Sequence, residues 1–266
     1  MAAYNAEKYI FDQLTSIEKQ TLQPSEIIIC NDASTDQTKE IIENFQKKSN
    51  IFIKIIDHKK NSGYHKAFET AIKNCSGNYI FISDSDDFWF NNKIKETINI
   101  FQNNSHINLI INNSEFTDEN LKTNKINKIE NYLKINKNLN FYIPGCNCAF
   151  RKKILDLYLP FPKNFIAYDY WLNKISTISN TRLINYNILQ YYRRHGSNNS
   201  INDINNLKYN KFDLNKINQK VSFYNFIRLN IELKKRLLKN NLEFNLESII
   251  SNIEKENRSY LLRNKI

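Results

Sequence analysis

The chain has 266 residues, of which 41% are hydrophobic and 13% aromatic, enough to bury the core of one sizeable domain with an appendage. Glycine and proline number four each, which excludes collagen-like and linker-rich proteins. The formal net charge of +11 favours an anionic partner, such as a nucleic acid, a membrane surface or a charged substrate. No zinc-finger spacing or other nucleic-acid motif accompanies this charge, so we expect no nucleic-acid partner.

Strand and helix patterns alternate through the first two-fifths of the chain. Helical spacing at Tyr9–Lys19 precedes a short apolar run at Glu26–Cys30, which is typical of a buried parallel strand. The alternation continues with a helix through Ile41, Ile42 and Phe45, a strand at Phe52–Ile56, a helix at His65–Asn74 and a strand at Tyr79–Ile82. Repeated strand–helix units predict a Rossmann-like α/β fold, with a mostly parallel sheet flanked by helices.

The two ends of the chain look different from this regular part. The chain opens at Met1–Asn5, which resembles the end of a strand, so we expect the first strand to be truncated. From about residue 205 the pattern is helical, with apolar positions at Phe223, Ile227, Ile231 and Leu238. Much of the basic excess also lies in this last part, where a solvated helix face and a membrane-surface role both fit.

The chain has four cysteines, Cys30, Cys75, Cys146 and Cys148. Cys30 lies in an apolar run, and Cys146 and Cys148 form a lone C-x-C without further zinc ligands nearby. This usage fits a reducing compartment. No apolar run approaches the roughly 18 residues that span a bilayer, and no signal-peptide segment is found. We therefore expect a cytoplasmic protein, with peripheral contact to the inner face of the cell membrane as a further expectation.

Three polar clusters follow strand ends, where doubly wound sheets bind their ligands. They are Ala3-Tyr4-Asn5, Asn31-Asp32 and the acidic run Asp84-Ser85-Asp86-Asp87. Two carboxylates one residue apart can both approach a divalent cation, and hard oxygen ligands suit Mn or Mg. A solvated turn or a helix N-cap is the structural alternative for the acidic run. The position of the run directly after a predicted strand favours the metal site.

The other two clusters suit a nucleoside. Asp32 is placed to accept an N–H from a nucleobase, although an Asx turn that caps the next helix explains it equally well. Tyr4 is placed to stack on a base, with ordinary packing as the alternative.

The second half of the chain offers three further candidates. Asp169 stands among aromatic residues, an environment that raises a carboxyl pKa and suits a general base, while a helix N-cap is the alternative. Arg193 suits the charge of a diphosphate, and His195 suits a third metal ligand or a diphosphate contact. A loop histidine is more often simply exposed.

These motifs, in this order, resemble the family 2 glycosyltransferases of the GT-A fold, and in particular a bacterial rhamnosyltransferase-like branch. The resemblance covers about residues 1–200 and is carried by six blocks: Tyr4-Asn5-x-Glu7-x-Tyr9-Ile10, Gln20-Thr21 through Asp36, Asn61-x-Gly63 through Ile80, Asp84-Ser85-Asp86-Asp87-Phe88-Trp89 with Lys93-Ile94, Asp169-Tyr170-Trp171-Leu172, and Tyr192-Arg193-Arg194-His195-Gly196-Ser197-Asn198. Asn31, Ala33 and Tyr168 depart from the family pattern, but none of them is a residue assigned chemistry.

The resemblance implies an inverting, metal-dependent transfer of a sugar from a nucleotide-diphosphate donor, dTDP-rhamnose or a UDP-sugar, to a glycan or lipid-linked acceptor. Such reactions build cell-surface polysaccharides such as O-antigen. By the same resemblance Ala3, Tyr4 and Asp32 hold the base and ribose, Asp84 contacts the donor, Asp86 binds Mn or Mg, His195 lies near the diphosphate or the metal, and Asp169 deprotonates the acceptor.

The resemblance also suggests a division of the chain. We expect a GT-A domain over residues 1–204, with a nucleotide-binding part at 1–103 and an acceptor-side part at 104–204. A basic helical region follows at 205–266. Two alternatives stay open: a truncated, catalytically weak sugar-nucleotide-binding remnant, and a sugar nucleotidyltransferase. The second ranks lower because no glycine-rich loop follows the first strand.

Overall fold

The computed structural model describes residues 1–134, 136, 138–139, 142, 144–162, 168–198, 223–239 and 249–255. Every predicted site residue lies in these ranges. The expected boundary between residues 204 and 205 lies outside the described residues, as does most of the linker around it.

Helices and strands alternate through the first hundred residues, as the sequence predicts. The helices are α1 (Ile10–Glu18), α2 (Thr38–Lys48), α3 (Tyr64–Lys73), α4 (Lys93–Asn103), α5 (Lys128–Leu133), α6 (Leu155–Tyr158), α7 (Tyr168–Ile178) and α8 (Phe223–Lys239). The strands are β1 (Ala2–Ala3), β2 (Glu26–Asn31), β3 (Phe52–Asp57), β4 (Tyr79–Phe81), β5 (Phe88–Trp89), β6 (Leu109–Thr117), β7 (Thr123–Asn127), β8 (Cys148–Arg151) and β9 (Arg182–Arg193). A 3-10 turn at Gly145–Asn147 precedes β8.

The first sheet is parallel and has the order β1-β2-β3. Its first strand is only two residues long, and the backbone of Met1 and Ala3 accepts hydrogen bonds from Cys30 and Asp32 at 3.0 and 2.9 Å. The register pairs Ala3 with Asn31 and Asn31 with Asp57. The carboxyl ends of the three strands therefore form one edge, at which Tyr4 and Asp32 emerge.

The second sheet is mixed, with the order β4-β8-β6-β9-β5 and β7 paired to β6. Among its described strands only β6 and β9 run parallel, and the other pairs are antiparallel. The α/β class and the flanking helices are confirmed, and the parallel pattern that the sequence predicts belongs to the first sheet. Register shifts between Ile111 and Glu115 bend β6 against β9, so the far half of β9 reaches the acidic run.

The largest core cluster lies between the second sheet and the helices that cover it. Phe150 on β8 and Trp171 on α7 are fully buried in it, because α7 turns its apolar face to the sheet. Leu233 and Leu237 of α8 join the same cluster. The helical end of the chain thus packs on the preceding domain.

Two of the four apolar positions predicted for this helical end face outward. Ile231 is 50% exposed and Leu238 is 53% exposed, because the face of α8 toward the core is the one that carries Leu233 and Leu237. Arg236 fixes the contact by donating to the carbonyl oxygens of Leu157 and Pro160 at 2.8 and 2.6 Å. No helix among the described residues is long and apolar enough to cross a membrane.

Candidate active site

The acidic run connects the end of β4 to β5, so it lies at the same edge as the ends of the parallel strands. Its four residues separate into two groups. Asp86 is partly exposed and turns toward the loop after β9, whereas Asp87 is fully buried and turns into the protein. Ser83, just before the run, accepts a hydrogen bond from Gln13 of α1 at 2.8 Å and so ties the run to the first helix.

Asp86 and His195, the two predicted metal ligands, lie side by side although they are 109 residues apart in sequence. The Asp86 Oδ2 and His195 Nε2 atoms are 2.9 Å apart, and Asn198 Nδ2 donates to the same carboxylate oxygen at 2.9 Å. On the far side of the imidazole, Nδ1 lies 2.9 Å from the hydroxyl of Ser197. This contact holds the ring with Nε2 toward Asp86.

The Asp86–His195 pair fits a divalent cation. The 2.9 Å between the carboxylate oxygen and the imidazole nitrogen is a hydrogen-bond distance, and it is also close to the roughly 3.0 Å that separates neighbouring ligands of an octahedral ion with bonds of about 2.1 Å, so a cation would need to displace only the shared proton. A carboxylate and an imidazole are also the ligand types that Mn²⁺ accepts.

A second group could in principle also hold a metal, because ligand atoms of Asp84, Asp87 and Cys146 all lie within 4.8 Å of one another. Its chemistry argues against one. A thiol is a soft ligand, whereas Mn and Mg prefer oxygen ligands, so Cys146 does not suit either cation. Gln190 already donates to Asp87 Oδ2 at 2.8 Å, and the buried ammonium of Lys93 lies behind that amide.

The carboxyl groups of this cluster are electrostatically coupled. Burial, and then the charges of Asp87 and Asp86, raise the pKa of Asp84. Burial and the charge of Asp86 raise the pKa of Asp87 to about 6, while the buried ammonium of Lys128 opposes both shifts. Lys128 lies over the ring of Tyr192, 3.2 Å from its centroid, and the sequence predicts no role for it.

Asp169, the predicted general base, stands in the first turn of α7. The backbone N–H groups of Tyr170 and Gly145 donate to its carboxylate, the first at 2.9 Å, but burial outweighs them and raises its pKa to about 6. Its charge contributes to the raised pKa of Asp84, so the two carboxyl groups act on each other. A Cβ atom on Gly145 would collide with the Tyr168 hydroxyl and lie 3.2 Å from the Asp169 Cβ. This close approach requires glycine.

The nucleoside edge is built around Asp32. Its buried carboxylate accepts from the backbone N–H groups of Ser62 and Gly63 at 2.9 and 2.8 Å, and His58 Nδ1 lies 2.7 Å away. Gly63 has a φ of +86°, so Asp32 holds a turn just before α3 that requires glycine. Tyr4 is 48% exposed beside it, and Ala3 is buried. Their contacts with a base or ribose stay a prediction.

Arg193 is nearly fully buried and is engaged by the protein. Its guanidinium donates to Asp12 Oδ2 at 2.9 Å and to the Glu119 carbonyl at 3.0 Å, and it lies over the ring of Tyr9. That ring lies 4.4 Å from the imidazole of His195. In this structure Arg193 therefore supports the wall behind His195, and a contact with the diphosphate stays a prediction.

Several residues of this site have no role predicted from the sequence, among them Lys93, Lys128, Gln190 and Asn198. Lys93 and Asn198 stand inside motifs that carry the family resemblance, so a signal for them existed. Gln190 lies in the middle of a strand pattern and Lys128 at the start of α5. Neither position differs from that of an ordinary polar residue.

Comparison with known proteins identifies the family of the chain. A family model described as Glycosyl transferase family 2 matches residues 1–159. The UDP-Glc:alpha-D-GlcNAc-diphosphoundecaprenol beta-1,3-glucosyltransferase WfgD of Escherichia coli is 34% identical over 120 residues, which cover 45% of this chain and 46% of the relative. The dTDP-rhamnosyl transferase RfbG of Shigella flexneri is 31% identical over 166 residues, which cover 58% and 55% of the two chains.

Among solved structures, S. aureus TarS in complex with UDP-GlcNAc matches with a TM-score of 0.65 at 20% identity, and the match covers 99% of this chain and 71% of that chain. This likeness confirms the GT-A fold. The chain spans about half the length of the two curated relatives, 46% and 55% respectively.

The raised pKa of Asp169 predicts a pH-dependent cost to stability. The folded state keeps this carboxyl protonated up to about pH 6, whereas the unfolded state releases the proton near pH 3.9. The contribution of this carboxyl to the free energy of unfolding therefore becomes increasingly unfavourable as pH rises between these values, and the wild-type protein loses that amount of stability. Asp169→Asn removes the cost, so we expect its gain in unfolding free energy to be about 1 kcal/mol larger at pH 7.5 than at pH 5. Urea denaturation at both pH values measures this difference, and an equal gain at both would contradict it.

Proposed function

The chain belongs to glycosyl transferase family 2, and we propose that it transfers a sugar from a nucleotide-diphosphate donor to a hydroxyl group of a glycan or lipid-linked acceptor in cell-surface polysaccharide synthesis. One observation carries the proposal: the charges of Asp169 and of Asp86, the partner of His195, both raise the pKa of Asp84. The candidate general base and the candidate cation site thus both lie near Asp84.

Asp169 acts as the general base in this proposal. A carboxyl with a pKa of about 6 is mostly ionised at neutral pH and is still more basic than an ordinary aspartate. It takes the proton of the acceptor hydroxyl as the oxygen attacks the anomeric carbon. The bond from that carbon to the diphosphate oxygen breaks at the same time on the opposite face. One displacement of this kind inverts the anomeric configuration and needs no nucleophile from the protein.

Asp86 and His195 hold Mn²⁺ or Mg²⁺ in this proposal. When bound, the cation offsets the negative charge that develops on the leaving diphosphate. Asp84 contacts the donor beside them, and Ala3, Tyr4 and Asp32 bind its base and ribose. Asn198 and Ser197 orient the two ligands through the contacts already described.

Two donor classes remain candidates, and the relatives support both. WfgD is by its name a UDP-Glc glucosyltransferase, and RfbG is by its name a dTDP-rhamnosyl transferase. We propose that the donor is a UDP-sugar or dTDP-rhamnose, and that the protein works in the cytoplasm.

We also propose that α8 contacts an anionic membrane surface, where a lipid-linked acceptor would be found. Ile231, Lys235, Leu238 and Lys239 are exposed and lie on one face of the helix, opposite Leu233 and Leu237. Apolar and basic residues alternate on this face, which suits insertion between anionic headgroups.

Replacing Asp86 tests the cation site. We expect Asp86→Ala to abolish the Mn²⁺-dependent thermal stabilisation that UDP-sugars or dTDP-rhamnose give to the wild-type protein, because the carboxylate ligand is lost. Differential scanning fluorimetry over this donor panel, with and without Mn²⁺, measures the effect. Asp156→Ala, at an exposed aspartate of α6, is the matched control and should respond like the wild type. Full Mn²⁺ dependence in Asp86→Ala would remove Asp86 from the site.

Replacing Asp169 tests the general base. We expect Asp169→Asn to lower kcat for sugar transfer by about 10²–10⁴-fold and to leave the donor Kd within about threefold, because the amide keeps the shape but takes no proton. Single-turnover transfer and donor titration measure the two quantities, with Asp156→Asn as the control. A donor Kd that weakens as much as kcat falls would assign Asp169 to binding rather than to proton transfer.

Reversing the charge of the α8 face tests the membrane contact. We expect Lys235→Glu/Lys239→Glu to lose at least about fivefold in co-sedimentation with vesicles of 30% phosphatidylglycerol, since each basic residue near such a surface contributes about 1 kcal/mol. The control is Lys47→Glu/Lys95→Glu, which makes the same charge change on α2 and α4. Equal losses of vesicle binding in both variants would show that binding follows the net charge of the protein, and would contradict a specific contact made by α8.

A further inference from the structure

A lysine without a role in the proposed mechanism is buried beneath the acidic run. Lys93 is the first residue of α4 and is only 1% exposed. Its Nζ donates to Gln190 Oε1 of β9 and lies 4.2 Å from the centroid of the Trp89 ring. Removing an ammonium from water costs several kcal/mol, so a lysine at this depth needs a compensating partner.

The hydrogen bonds of Lys93 lead through Gln190 to the acidic run. An ammonium group only donates hydrogen bonds, so the Gln190 oxygen must face Lys93 and its NH₂ group must face the other way. There Nε2 donates to Asp87 Oδ2 at 2.8 Å. The charge of Lys93 thereby fixes the orientation of an amide that could otherwise turn over. The three side chains form a series, Lys93 to Gln190 to Asp87.

The series matters because Asp87 is the next residue after the cation ligand Asp86. Asp87 is fully buried, and its Oδ1 atom has no hydrogen-bond partner among the described residues. The amide of Gln190 is therefore the main anchor of this carboxyl, because the thiol of Cys146 beside it is a weak donor. Without the Gln190 bond, repulsion from Asp84 and Asp86 favours movement of Asp87. A shift of Asp87 displaces the backbone that presents Asp86 to the cation.

We propose that Lys93, acting through Gln190, is a positioning residue that holds the acidic run in the geometry that binds the divalent cation. The inference rests on the proposed function, because it assumes a cation at Asp86 and His195. It assigns a role to two residues that touch neither donor nor acceptor. Second-layer contacts of this kind typically change metal affinity by about 10–100-fold when they are removed.

The experiment measures Mn²⁺ binding directly by the loss of the free-ion electron paramagnetic resonance signal, with UDP or dTDP present. Lys93→Met removes the charge at similar length. Gln190→Glu keeps an acceptor for Lys93, but it replaces the N–H that faces Asp87 by a carboxyl oxygen, so the two carboxyl groups repel each other unless they share a proton. We expect each variant to weaken Mn²⁺ binding at least about tenfold.

Thr97→Val is the matched control. Thr97 is buried on the same helix and accepts from Asn112 Nδ2 at 3.0 Å, away from the acidic run. It should lower the unfolding midpoint and leave Mn²⁺ affinity within about twofold of the wild type. If Lys93→Met does not fold, Gln190→Glu carries the test alone.

The outcomes separate the two levels of the proposal. Mn²⁺ binding within about twofold of the wild type in a folded Gln190→Glu or Lys93→Met variant overturns the positioning role and leaves the proposed function intact. A roughly tenfold loss in Thr97→Val as well would make the effect one of general stability and also overturns it. A wild-type protein that binds no Mn²⁺ with either nucleotide overturns the cation site itself.

Discussion

The rest of the site depends on one constraint: four carboxyl groups occupy a region largely removed from water. Asp84, Asp86, Asp87 and Asp169 repel one another, and burial penalises the charge on Asp84, Asp87 and Asp169. A protein cannot hold such a group together unless each carboxyl is compensated or gives up its charge. The surrounding contacts can be understood as local solutions to this problem.

The solutions differ, and the differences give each carboxyl its chemistry. Asp86 faces His195 and Asn198, polar groups that a cation can displace or join. Asp87 faces the amide of Gln190 and is held in place. Among the described residues Asp169 accepts backbone N–H groups, and burial outweighs these bonds and the charge of Lys128, so its pKa stays raised. Environment rather than residue type thus distinguishes these carboxyl groups and suits them to the proposed roles of ligand, anchor and base.

The sequence predicts the parts of this arrangement that are local or repeated along the chain. The alternation of strands and helices predicts the parallel sheet, and the family resemblance that the ordered motifs carry singles out Asp86, Asp169 and His195 as candidates. The orientation of long side chains could not be predicted, because it depends on contacts distant in sequence. Arg193 shows this: its partner Asp12 is 181 residues away, and no local pattern indicates that its guanidinium turns toward α1.

The net charge is a second case in which the structure changes what a sequence feature means. A chain with a charge of +11 suggests a basic surface for an anionic partner. Yet Lys93, Lys128 and Arg193 are all nearly fully buried, and Lys93 and Lys128 offset the carboxyl charges of the acidic run. Part of the excess is therefore internal. The cations compensate for the acidic site that the chain must build, so composition alone overstates the charge available to a partner. These two buried lysines interact with the carboxyl groups of the protein itself rather than with an external anion.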